Sequence, residues 1–195
     1  SENGQVTILR QSDRRTFTFD LAKLSEEDQA WVKQREEEAP ANEDDAEDDG
    51  EFAKLLTGKW ERTEGNDLKY RIFGDRKLRR AKDAGYPLVI YLHGRSGDVM
   101  SPNAPGQASS FSNDDNYRKR PCFIIAPQCP DENGWNGAKA DNVVKIIEEL
   151  VKNLPIDKKR IYLTGYSMGG YGTFHLLAQE PKLFAAGIPI AGIAG

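Results

Sequence analysis

Four short apolar runs constrain this chain more than any other feature: "YPLVIYLHG" at 86–94, "CFIIAPQ" at 122–128, "RIYLTG" at 160–165 and "AAGIPIAG" at 185–192. None alternates polar with apolar residues, as a strand would with one face in water; the first three read as strands buried on both faces and the last as a fourth strand. The segments between the later runs carry a different period. In "DNVVKIIEELVKNL", Val143, Val144, Ile146, Ile147, Leu150, Val151 and Leu154 recur at helical spacing and form one apolar stripe. "YGTFHLLAQE" reads as a second helix, stopped by Pro181. Strand, helix, strand, helix, strand predicts an α/β fold, a doubly wound, mostly parallel sheet covered on both faces. Ahead of it, "GKWERTEGNDLKYRIFGD" reads as an entry hairpin turning at "EGND".

A chain of 195 residues has room for one domain of ordinary size and a small addition. The formal charge of −4 conceals an asymmetry. Residues 36–51, "EEEAPANEDDAEDDGE", hold ten acids and no base, so the other 27 basic and 21 acidic residues leave +6 elsewhere. The acidic run reads as a solvated linker, placed at 36–57 between a small piece at 1–35 and a main domain at 58–195. The remaining positive charge is spread out, with "DRKLRRAK" its one cluster, and does not point to nucleic acid. Cys122 and Cys129 lie on one strand, roughly 23 Å apart if it is extended, beyond disulfide reach; both read as free buried thiols. With His93 and His175 the only histidines, no metal site is expected, and no cofactor. No apolar stretch near 20 residues suggests a membrane span, and no signal-peptide pattern indicates a compartment.

The first 35 residues read as a hairpin, "QVTILR" and "RTFTFD" joined by "QSDR", then a helix that Ser25 caps with Asp28 three residues on. "TFTFDLAKLSEEDQAWVKQR" resembles the C-terminal end of a Sla1 homology domain 1, which implies an SH3-like piece and a possible protein partner; an ordinary amphipathic appendage is the competing reading.

"GYSMGG" at 165–170 follows one buried strand and opens a helix. In a parallel sheet chemistry collects at that end of the strands. A tight strand-to-helix turn there exposes the Ser167 oxygen as a nucleophile, and Gly165 and Gly169 are required because side chains would strike the neighbouring strand and helix. Met168 offers its backbone N–H at the helix N-terminus to an oxyanion. The N–H of Gly94 or Arg95, after the strand ending in "LHG", is the second candidate donor. His93 reads as ordering that loop by hydrogen bonding, and His175 as a helical residue roughly 12 Å along the axis from the nucleophile. The stretch Arg95–Arg120, without clear periodicity, reads as a lid or acyl-pocket wall with Phe111 and Tyr117 as apolar contacts, or else as a mobile surface loop.

Together "YPLVIYLHG", "PCFIIAPQCPDENGWN", "LPIDKKRIYLTGYSMGGYGTF" and "FAAGIPIAG" resemble the α/β-hydrolases, in particular the esterase branch with polyhydroxybutyrate-depolymerase-like and phospholipase/carboxylesterase-type proteins. The resemblance implies a Ser-Asp-His triad with Ser167 as nucleophile, Met168 and Gly94/Arg95 as oxyanion hole, Trp135 near the substrate pocket, and a small-molecule or polymeric ester as substrate. It slightly favours a place outside the cytoplasm. Chain order in such enzymes puts the acid and the histidine after the nucleophile, where this sequence has no histidine beyond His175, so a truncated and nearly inactive form is expected. An inactive scaffold that binds proteins and a prolyl-oligopeptidase-like peptidase are the alternatives.

Overall fold

A computed structural model describes residues 5–9, 16–38, 50–79, 85–102 and 105–193. It divides into two compact units, Ser1–Glu47 and Asp48–Gly195. In the first, β1 (Gln5–Leu9) pairs antiparallel with β2 (Thr16–Asp20), Thr7 opposite Thr18. Phe17 and Phe19, two apart on one face, stack at 6.5 Å. Helix α1 (Glu26–Glu38) follows, and Ser25 Oγ accepts from the Asp28 amide at 3.1 Å. The "QSDR" turn and most of the acidic run lie outside the described residues.

The second unit starts ahead of the expected boundary at 58. The short helix α2 (Gly50–Ala53) leads to Leu56, which is wholly buried in the core and so belongs to this unit rather than to a linker. Strands β3 (Glu61–Gly65) and β4 (Leu68–Phe73) form the entry hairpin. Asn66 and Asp67 turn it with φ of 50° and 59°, the left-handed pair that matches strand twist. Then come β5 (Tyr86–Leu92), α3 (Asp114–Lys119), β6 (Phe123–Pro127), α4 (Ala138–Asn153), β7 (Ile156–Tyr166), α5 (Met168–Gln179) and β8 (Ala186–Ile190). The sheet order is β3-β4-β6-β5-β7-β8; β6, β5, β7 and β8 are parallel, while β3 and β4 run antiparallel at one side.

Burial explains the unbroken apolar runs. Leu88, Ile90 and Leu92 of β5, Phe123 and Ile125 of β6 and Leu163 of β7 form one core with Val143, Ile146, Ile147 and Leu150 of α4. Each such side chain contributes roughly 1.5–3 kcal/mol of transfer free energy. Tyr91 and Ala126 face the other way, and there the expected lid proves to be structure. Residues Gly106–Ser112 form a 3₁₀ turn and α3 follows, packing Val99 and Ala108 over that face of the sheet. The segment lacks a legible period because it folds in pieces too short to repeat one.

The chain leaves β5 for β6 on one side and reaches β7 on the other, so the order reverses beside β5. At such a switch point the loops after the strands diverge and leave a crevice. The loops after β5 and β7 are those that carry Gly94 and Ser167.

Candidate active site

Ser167 joins β7 to α5 with φ 52° and ψ −113°, a left-handed conformation rare for a residue with a side chain. The glycines beside it meet a close-packed crossing. A Cβ on Gly169 would overlap the Leu92 carbonyl, and one on Gly165 the Gly169 carbonyl. The Ser167 amide donates to the Ile190 carbonyl at 2.8 Å and its carbonyl accepts from Tyr171 at 3.1 Å, so backbone bonds on both sides hold the strained turn. Among the described residues its hydroxyl makes no hydrogen bond.

Gly94 lies against this turn: a Cβ there would sit 3.4 Å from Ser167 Cβ and 3.2 Å from the Tyr166 carbonyl. Arg95 lines the cavities on both sides of Ser167. The larger, about 800 Å³, lies between the loop 132–136 and the outer face of α5. One wall is Tyr171, Phe174, His175 and Ala178, and the other carries Glu132, Asn133 and Asn136. These wall residues escape the sequence reading, although Tyr171, Phe174, His175 and Ala178 stand at i, i+3, i+4 and i+7 and so share a helix face. His175 is exposed on that wall without a hydrogen bond to Ser167.

Trp135 borders the same cavity as its floor, 1% exposed, with its ring packed where Gly172 leaves no side chain. Its Nε1 donates to the His93 carbonyl at 3.0 Å. Phe111 and Tyr117 are not at the site. Phe111 lines a separate cavity with Tyr86 and Tyr162, and Tyr117 packs edge-on against Phe73 at 4.9 Å while its hydroxyl accepts from the Asp75 amide. Neither lines a cavity that Ser167 borders, because the 3₁₀ turn packs Phe111, and α3 packs Tyr117, against buried Phe73 and Ile124.

The loop after β5 is tied by two side chains from elsewhere in the sheet. Gln128 accepts from the Val99 amide at 2.8 Å and donates to the carbonyls of Gly97 and Cys129. Buried Arg71 donates to the carbonyls of Val99, Ser101 and Trp60 at 2.7, 2.6 and 3.2 Å. His93 is 5% exposed, and burial holds its imidazole below the usual histidine range. Cys122 and Cys129 are both free and buried. Among the described residues no group of three or more His, Cys, Asp or Glu could hold a metal ion, and no helix is long and apolar enough to cross a membrane.

Comparison with solved structures decides the fold. The chain superposes on a thermostable esterase with a TM-score of 0.63 and 32% identity, over 72% of this chain and 43% of that one. An acetyl xylan esterase from Aspergillus awamori matches with a TM-score of 0.58 at 16% identity, over 70% and 53%. The chain has the α/β-hydrolase fold. Within that fold, residues 132–195 match the model of the prolyl oligopeptidase family. A bifunctional acetylxylan esterase/xylanase of Neocallimastix patriciarum is 44% identical over 110 residues, 54% of this chain and 16% of that protein. Poly(3-hydroxyalkanoate) depolymerase C of Paucimonas lemoignei is 28% identical over 123 residues, 56% of this chain and 28% of that protein. The chain thus spans less than a third of the length of the curated relatives it matches, two of which are named as acetylxylan esterases and one as a depolymerase.

Proposed function

We propose that this chain carries the nucleophile and oxyanion hole of a serine carboxylic-ester hydrolase. The observation that carries the reading is Ser167, held at φ 52° between a buried strand and a helix N-terminus and opening on the large cleft. Ser167 Oγ attacks the ester carbonyl and loses its proton to a base; the carbonyl oxygen becomes an oxyanion. The Met168 amide, at the first turn of α5, and the Gly94–Arg95 segment stabilise it. Collapse expels the alcohol, which takes up a proton, and water releases the acyl group by the same steps reversed. The base is not His93, whose nitrogens are both engaged, and His175 makes no bond to Ser167. Neither histidine of these 195 residues is therefore assigned as the base. The relatives' names support an acyl ester on a polymeric carrier as substrate, and the open cleft beside Ser167 gives such a carrier room.

A fluorescent phosphonate tests this. The chain should label slowly at one residue, Ser167→Ala should abolish labelling, and added imidazole should accelerate it by replacing the base. Labelling that persists in Ser167→Ala removes the reading. Matched acetyl ester and acetyl amide substrates, assayed with imidazole, separate the esterase from the peptidase suggested by the prolyl oligopeptidase match; hydrolysis of the amide alone would favour the peptidase.

A further inference from the structure

Three hydrogen bonds converge on His93. The Cys129 amide donates to His93 Nε2 at 2.9 Å, His93 Nδ1 lies 2.7 Å from the Gly94 carbonyl oxygen, and Trp135 Nε1 donates to the His93 carbonyl at 3.0 Å. The first of these fixes the protonation state by geometry alone. A nitrogen that accepts from an amide carries no proton, so the single proton of the neutral ring is on Nδ1 and is donated to Gly94. The imidazolium would set Nε2–H against the Cys129 N–H.

The Gly94 carbonyl and the Arg95 N–H belong to one planar trans peptide and point in opposite directions. The Gly97 amide also donates to the Gly94 carbonyl, at 3.0 Å. Pinning that oxygen from two sides therefore sets the direction of the Arg95 N–H, which has no partner among the described residues. No side chain fits at Gly97, where a Cβ would lie 2.6 Å from His93 Nδ1, so ring and loop are packed together. The ring in turn stands edge-on to Trp135 at 5.2 Å.

We infer that His93 is a positioning residue for the ester-hydrolase reaction: its Nδ1–H tautomer, set by the Cys129 amide, orients the Gly94–Arg95 peptide so that the Arg95 N–H serves as the second oxyanion donor. The inference rests on the reading of Ser167 as nucleophile, and it couples two loops, the one after β5 and, through Cys129 and Trp135, the one after β6, to the aim of one amide.

Two near-isosteric variants separate the two ring contacts. Asn at 93 places an amide donor near Nδ1 and has nothing at Nε2; Gln reaches the Nε2 position with an acceptor and leaves Gly94 without its donor. Phosphonate labelling of Ser167 in the 195-residue chain, with imidazole present, should fall about 10²- to 10³-fold in His93→Ala. His93→Asn should recover to within about tenfold of the wild type, and His93→Gln should not. Long-range ¹H–¹⁵N spectra of the wild type should show the ring neutral at pH 7 with its proton on Nδ1. Circular dichroism and the thermal midpoint identify a variant that has merely unfolded, and the wild-type ring spectrum does not depend on any variant. An Nε2–H tautomer, wild-type labelling in a folded His93→Ala, or recovery in Gln rather than Asn would each overturn the inference while leaving the Ser167 reading intact. Loss of that reading shows separately, as labelling insensitive to Ser167→Ala, and would take the positioning role with it.

Discussion

Gly169 is the residue least able to change. Its Cα stands where α5 crosses the end of β5, and a methyl group there enters the Leu92 carbonyl. Backbone is on both sides, so no side chain can move aside to relieve the clash. Gly169→Ala should lower stability by at least about 3 kcal/mol, measured by urea unfolding, and abolish labelling at Ser167. His93 leaves a different signature. Its folded pKa lies below the ordinary 6.5, chiefly through burial, against which the bond to Gly94 and the charge of Asp98 pull upward. The unfolded chain therefore takes up the proton first as pH falls. This contribution to stability is complete above about pH 6.5 and declines as the pH drops from there toward the folded pKa. His93→Asn should flatten that part of the stability-against-pH curve, although other groups contribute to the remainder; an unchanged slope would contradict the buried neutral ring. The strained turn at Ser167 is legible in the sequence because such a strand-to-helix turn needs glycines at fixed offsets. The role of Trp135 as a clamp is not, since its bond to the His93 carbonyl joins residues 42 positions apart.

At the level of elements, the strands and the two long helices are legible because each buries enough apolar surface to impose a period. Helix α4 shows this directly: Val143, Ile146, Ile147 and Leu150 are fully buried, and Val144 and Val151 flank them. The stretch after β5 is illegible for the converse reason. Its order comes from polar side chains elsewhere, Arg71 on β4 and Gln128 after β6, that satisfy its backbone. Such bonds leave no pattern within the segment they hold. Arg71→Met should keep much of the volume but withdraw the donor from three carbonyls. A loss of about 2–4 kcal/mol is expected in chemical denaturation, together with slower labelling of Ser167, because Val99 and Ser101 anchor the far end of the loop that carries Gly94 and Arg95.

Over the whole molecule, the two cysteines report on integrity. Burial pushes the Cys122 thiol up to about 11 and raises that of Cys129 as well. Neither should react with Ellman's reagent at pH 8 in the folded protein, and both should react at once in guanidinium; rapid reaction of one thiol under native conditions would mean that the core opens around it. The sheet offers a second measure. Among the described residues strand β8 pairs only with β7, and it exposes Ile188 and Ile190. The Ser167 amide hangs from the Ile190 carbonyl at the end of that strand. In a deuterium exchange experiment on these 195 residues the proposed nucleophile should then keep time with the fraying of β8. Its amide should exchange with the β7–β8 ladder, well before that of Leu163 a few residues upstream, so that the turn at Ser167 is reset each time that ladder opens and closes.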